Sequence, residues 1–181
     1  MADEVIALFL KYGSNDYIGE NVTQLEHMTQ CALLAKKDGA TDNLIVAALL
    51  HDIGHLLVFD SNTPTMPGLG VAGHEDIGAK FLESLGFNST VCTLVRNHVA
   101  AKRYLISTNS TYYDHLSNAS KQTLEYQGGF MTPDEVNSFK SDPLFEDSIR
   151  LRLYDDLAKV SGASADIKMF RQLLLDAVNS P

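Results

Sequence analysis

The stretch LLHDIGHLL, Leu49–Leu57, sets His51, Asp52 and His55 inside one of the most apolar runs of a 181-residue chain. Buried imidazoles and carboxylates cost free energy unless they are paired, hydrogen-bonded or bound to metal. A helix through this run puts His51 and His55 on one face. It also sets His51 and Asp52 about 100° apart, so that both reach one ion if that helix edge faces it. A carboxylate so placed can bridge to a second ion. Of the six histidines, His27, His74 and His98 also fall in helical patterns or at a helix start, and only His115 has no assignable role. Facing helices of a bundle build metal centres from such inward-pointing side chains. Imidazole and carboxylate donors suit iron, manganese, zinc and other first-row metals. Cys31 and Cys92 lack metal-type spacing, which argues against iron–sulfur or structural cysteine sites and reads as reduced core filler.

The elements that must position these residues read as helices throughout. Val5–Tyr12 ends at Gly13. Thr23–Lys37 carries Leu25, Met28, Ala32 and Ala35 at helical spacing and stops before Gly39. Asp42 is expected to cap one helix running through LIVAALLHDIGHLL. Asp60–Gly73 is a Pro/Gly loop of the kind that forms lids. HEDIGAKFLESLGF is amphipathic and closes at Gly86. Ser89 is the expected cap of TVCTLVRNHVAAKRYL, on which His98 and Lys102 again lie four apart. Ser117–Tyr126 reads as a short helix, Thr132-Pro133 opens another, and Asp147–Lys159 carries Ile149, Leu153 and Leu157 as a core-facing stripe. A final helix covers about 165–178. No strand-period segment, repeat or low-complexity tract is present, so the expected fold is all-α, one domain over 1–181 with a metal-binding core at about 16–160.

Composition narrows the function. A formal charge of −9 opposes nonspecific binding to nucleic acid, which needs a basic surface. A small anionic substrate needs only a few local cations. No apolar run approaches a bilayer-spanning length and no basic, apolar leader opens the chain, so a cytoplasmic protein with no membrane partner is expected, as a monomer or weak homo-oligomer.

His27, the pair His51-Asp52, His74, His98 and Asp155 together resemble the HD-domain pattern, with the two added histidines of its dinuclear branch. The segments NDYIGE, QLEH, AALLHDIGH, HVAAKRYL, LEYQGG and RLYD resemble more narrowly the small HD-domain oxygenases of phosphonate catabolism, across about Asp16 to Asp155. The resemblance implies an HD-domain helical bundle in which His27, His51, Asp52 and Asp155 hold one metal, and Asp52, His74 and His98 the other. One departure, Tyr154-Asp155 where Trp-Asp is expected, keeps the carboxylate but leaves Asp156 as a neighbouring candidate.

The resemblance further implies a mixed-valent Fe(II)/Fe(III) pair of iron ions, with O2 as co-substrate. The reaction is cleavage of the C–P bond of a 1-hydroxy-2-aminoethylphosphonate, its amine primary or N-methylated, to phosphate and an amino acid such as glycine. Lys102, Arg152 and Ser120 are then the expected phosphonate contacts, and His55 a supporting hydrogen-bond donor. Tyr17 and Glu20 meet the substrate's amino end, Tyr17 covering an iron position until substrate displaces it. Two rivals remain. An HD phosphohydrolase would use similar ligands with divalent ions to activate water on a nucleotide or phosphate ester. A non-catalytic HD scaffold would have lost ligands, and none of the six is missing.

Overall fold

Helix ends in this chain are set by short polar side chains that take up backbone N–H groups no helical carbonyl can reach. In the computed structural model, Thr23, Thr41, Asn88, Ser117 and Thr132 each accept such a bond from the residue three further on. The backbone N–H groups of Thr23 and Thr132 in turn donate to the Glu26 and Glu135 carboxylates, completing capping boxes. The structure describes residues 1–17, 19–57, 65–66, 70–163 and 165–179.

The helices are α1 (Ala2–Tyr12), α2 (Gln24–Lys37), α3 (Asp42–Leu50), α4 (Ile53–Leu56), α5 (His74–Ser84), α6 (Ser89–Thr108), α7 (Tyr112–His115), α8 (Asn118–Tyr126), α9 (Pro133–Lys140), α10 (Phe145–Leu157) and α11 (Arg171–Asn179), the last entered through a 3-10 turn at Ile167–Phe170. Among the described residues the only sheet is a two-stranded antiparallel pair, β1 (Thr65–Met66) and β2 (Gly70–Val71). The expected Asp60–Gly73 lid falls largely outside the described residues. No described helix is long and apolar enough to cross a membrane.

The long α6 packs against α3, α5 and α10, and α2 packs against α3 and α10. The core between them is drawn from Met28, Leu44, Leu49, Leu50, Ile53, Leu56, Leu82, Leu94 and Leu151, all essentially out of solvent. Fully burying one such side chain stabilises by about 1.5–3 kcal/mol, so this layer holds rigid the faces that carry the histidines.

Four sequence expectations are corrected. Thr41, rather than Asp42, caps α3, and Asn88, rather than Ser89, caps α6. The helix through LLHDIGHLL is not continuous: α3 ends at Leu50, Asp52 leaves helical geometry at φ −102°, ψ 13°, and α4 restarts at Ile53. Close packing of α5 on α4 accompanies the break. A Cβ on Gly54 would lie 2.1 Å from the His74 carbonyl oxygen, and one on Gly78 would lie 3.1 Å from Ile53. The stripe expected to anchor α10 faces outward, with Leu153 at 44% and Leu157 at 66% exposure. Its buried face is Ser148, Leu151, Arg152, Tyr154 and Asp155, and its two charged members pair with each other at 2.6 Å.

Candidate metal centre

Four imidazoles meet at the centre of the bundle, and backbone carbonyls fix how each presents itself. The Nδ1 of His27 lies 2.9 Å from Ala158 O, that of His51 2.9 Å from Ala48 O, that of His74 3.3 Å from Val71 O and that of His98 2.7 Å from Val95 O. A carbonyl only accepts, so each Nδ1 carries a proton, and each ring, when neutral, presents its lone pair at Nε2. Those lone pairs converge in two couples, His27 with His51 at 3.1 Å and His74 with His98 at 3.0 Å. Two lone pairs so placed repel unless a proton or a metal ion lies between or beside them. Such carbonyl partners are also what orient metal-binding histidines.

The break at Asp52 gives its carboxylate to both couples. Oδ2 lies 3.3 Å from His51 Nε2 and 3.6 Å from His27 Nε2, while Oδ1 lies 3.1 Å from His74 Nε2 and 3.5 Å from His98 Nε2. Asp155 closes the first couple, with Oδ1 3.3 Å from His27 Nε2. Asp156 turns away to Arg152 and Tyr112, which favours Asp155 of the two candidates. The field here favours positive charge. Burial opposes a charged His51, yet the adjoining Asp52 and Asp155 carboxylates outweigh it and raise its pKa to about 9. Burial likewise opposes ionised Asp52, and the surrounding histidines still hold it well below the usual carboxylate range. The donor set, nitrogen and carboxylate oxygen about one bridging group, fits two first-row metal ions. Cys31, expected as core filler, is indeed buried, but its sulfur falls within 4.8 Å of the His27 and His51 donors. Burial, and after it Asp155 and Asp52, push its thiol pKa well up, away from the thiolate that binds metal.

His55 has the opposite tautomer. Its Nδ1 accepts from Val71 N–H at 3.3 Å, so its proton sits on Nε2. Burial and the neighbouring His74 push its pKa down to about 3, so it stays neutral. It stacks on His74 with centroids 4.1 Å apart and is a donor beside the centre, not a fifth ligand. Contrary to the shared face expected of a continuous helix, His51 turns toward His27 and His55 toward His74.

A cavity of about 50 Å³ opens beside the centre, bounded by Asp52, His55, His74, His98 and Asp155 and by every substrate residue expected from the sequence: Tyr17, Glu20, Lys102, Ser120 and Arg152. At roughly 10–15 Å³ per water it has room for about four waters, the scale of a tetrahedral oxyanion. Tyr17 stacks on His27 with centroids 3.9 Å apart, and its phenol reaches Asp52. Lys102 is 2% exposed, and its Nζ donates to Thr123 Oγ1 and Gln127 Oε1, each at 2.8 Å. Burial and the nearby Arg152 lower its pKa to about 7. Arg152 donates to Asp155 Oδ2 at 2.6 Å, to Asp156, and to the Tyr112 hydroxyl at 3.2 Å. Ser120 lies on α8, within the short helix expected over Ser117–Tyr126.

Sequence reading missed Gln24, Thr123, Gln127 and Lys159. Thr123 and Gln127 continue from Ser120 at helical spacing on α8, a polar stripe that periodicity alone could have flagged. Gln24 follows the capping Thr23 and carried no signal. Lys159, whose Nζ donates to Glu20 Oε1 at 2.6 Å across 139 residues of chain, could be found only in three dimensions.

Comparison with known proteins gives one family and several close relatives. The HD domain family matches residues 25–126, a span that contains His27, His51, Asp52, His74 and His98 and ends before Asp155. An uncharacterised protein of Acanthamoeba polyphaga mimivirus is 43% identical over 173 residues, 95% of this chain and 79% of the relative. A glycine-betaine-forming (1-hydroxy-2-(trimethylamino)ethyl)phosphonate dioxygenase of Leisingera caerulea is 41% identical over 152 residues, 84% of this chain and 76% of the relative. A hydroxymethylphosphonate dioxygenase of Gimesia maris is 41% identical over 162 residues, 88% of this chain and 80% of the relative.

Proposed function

Because the chain belongs to the HD-domain family and matches two of its phosphonate dioxygenases over most of its length, we propose that it is an O2-dependent oxygenase cleaving the carbon–phosphorus bond of a 1-hydroxyphosphonate. The observation that carries this reading is the two couples of Nε2 lone pairs sharing one Asp52 carboxylate, beside a cavity that also holds Lys102 and Arg152. With 2-amino-1-hydroxyethylphosphonate, one O2 is consumed, the C–P bond and the C1–H bond break, and glycine, phosphate and one proton result. The carbon loses four electrons and O2 accepts them.

His27, His51, Asp52 and Asp155 would hold one iron, and Asp52, His74 and His98 the other, of a mixed-valent Fe(II)/Fe(III) pair whose open positions supply the redox chemistry and the electrophilic pull on the bound substrate. The remaining groups bind and orient. Lys102 and Arg152 neutralise the phosphonate, with Ser120, Thr123 and Gln127 supplying neutral contacts from α8. The His55 Nε2–H donates to a substrate oxygen. Tyr17, stacked over His27, keeps bulk water off the centre until substrate replaces it, and Glu20 faces the amino end.

The test is anaerobic reconstitution with iron followed by addition of a hydroxyphosphonate and then O2. Oxygen uptake matched one-to-one by phosphate, with a mixed-valent paramagnetic signal that substrate alters, is the expected result. Phosphate release from a phosphate ester without O2 would overturn it in favour of a phosphohydrolase.

A further inference from the structure

Glu20, on the cavity wall that would meet the substrate's amino end, already has a cation beside it. Glu20 Oε1 is held at 2.6 Å by Lys159 Nζ, with the two side chains only 13% and 17% exposed. Lys159 also donates to Ser117 Oγ at 3.1 Å, tying the segment after α10 to the start of α8. Glu20 lies next to Gly19, which adopts φ +80° and would place a Cβ 2.7 Å from that of Ala119 on α8. Glu20 therefore sits on a short turn pressed against α8, with little room to move away from Lys159. On the same wall Gln24 is 2% exposed, and its amide oxygen has no donor among the described residues. A buried acceptor without a donor is destabilising, and a ligand bringing an N–H removes that cost. Among the described residues the wall contains no cage of aromatic faces: of these, only Tyr17 supplies a phenyl-type ring to the cavity lining, and His27 covers one side of it.

We propose that Lys159 and Gln24 are specificity-determining residues of this site, selecting an ammonium that carries N–H bonds over a quaternary one. The inference rests on the oxygenase reading above for the substrate's orientation. A primary ammonium replaces the Lys159 contact at Glu20 by an equivalent hydrogen-bonded ion pair and donates to Gln24 Oε1. A trimethylammonium group must dislodge Lys159 without offering a hydrogen bond in return, leaves Gln24 orphaned, and lacks the aromatic enclosure that stabilises quaternary ammonium ions. Lys159 thus acts as an internal competitor, and its strength sets the affinity for any aminated ligand.

The test is anaerobic titration calorimetry on the iron-loaded protein with 2-amino-1-hydroxyethylphosphonate, its trimethylammonium analogue and hydroxymethylphosphonate. The native chain should bind the primary amine at least about tenfold more tightly than the quaternary one, the scale of one hydrogen bond to a charged group. Gln24→Leu should shrink that ratio by about tenfold. Lys159→Met should raise the affinity for either aminated ligand relative to hydroxymethylphosphonate by about tenfold, as expected of a partly buried ion pair. Equal binding of primary and quaternary amines by the native chain, or ratios that neither variant moves, would overturn the proposal. Should one variant misfold, the other decides alone. Binding with the expected ratios but no oxygen uptake would sink the oxygenase reading and leave this one standing. If none of the three ligands binds, both fall.

Discussion

Replacing Lys102 by methionine should make the protein more stable and a worse enzyme. The side chain is 2% exposed, and among the described residues no carboxylate pairs directly with its Nζ, which instead bonds Thr123 and Gln127. With its pKa lowered from 10.5 to about 7, charging it in the folded chain costs about 4 kcal/mol at neutral pH. Methionine, similar in length, removes that cost but gives up two hydrogen bonds at about 1 kcal/mol each. The net gain of about 2 kcal/mol raises Tm by about 4–8 °C in a chain of this size. The sign with pH is definite. Below about pH 7 the lysine is charged in both states and the full cost stands. Between about 7 and 10.5 the unfolded chain binds the extra proton, so native stability rises with pH. The variant's advantage therefore shrinks by about 2 kcal/mol from pH 7 to 9. Activity should move the other way: losing a charged contact to the phosphonate lowers kcat/KM by about 10- to 150-fold. Thermal melts across pH, metal analysis and oxygen-electrode kinetics on both proteins measure all of this. A lower Tm in the variant, or unaltered kcat/KM with full metal content, would refute the reasoning. Such opposition of stability and function is expected where a site keeps a buried charge for its ligand.

Two further changes probe the frame of the centre. Gly54→Ala drives a methyl into the His74 carbonyl at 2.1 Å, so a loss of about 3 kcal/mol or more is expected, together with fewer ions held at the His74–His98 couple; a melt within about 1 °C of native would contradict the close approach. Tyr112→Phe removes the hydroxyl that accepts from Arg152 Nε at 3.2 Å and should raise KM about 5- to 10-fold, the value of one hydrogen bond, with kcat nearly kept. A fall in kcat at unchanged KM would remove Tyr112 as the residue that positions Arg152.

The helical fold was legible because apolar residues recur at helical spacing and because capping chemistry is local: a Thr, Ser or Asn side chain reaches only three residues on. The same locality explains the errors. Caps at Thr41 and Asn88 sit one residue from the expected ones, since adjacent polar residues compete for the same orphan N–H. The orientation of α10 was misjudged because hydrophobicity alone pointed Leu153 and Leu157 inward, whereas the face it buries carries the paired Arg152 and Asp155. The set His27, His51, Asp52, His74, His98 and Asp155 could be named from residue types and a family pattern, and the geometry brings all six together.

Residue identity by itself determined which chemistry this chain can perform, since imidazole and carboxylate side chains in apolar helices must be satisfied by one another or by metal. Only the tertiary structure decided that His27 turns its Nδ1 to the Ala158 carbonyl, that Asp52 leaves the helix to serve both couples, and that Lys159 meets Glu20. The His51, His74 and His98 rings lean on carbonyls three residues earlier in their own segments, whereas contacts between distant segments form only when the packed core fixes their distance. Those contacts are properties of the assembled bundle, and no local stretch of sequence carries them.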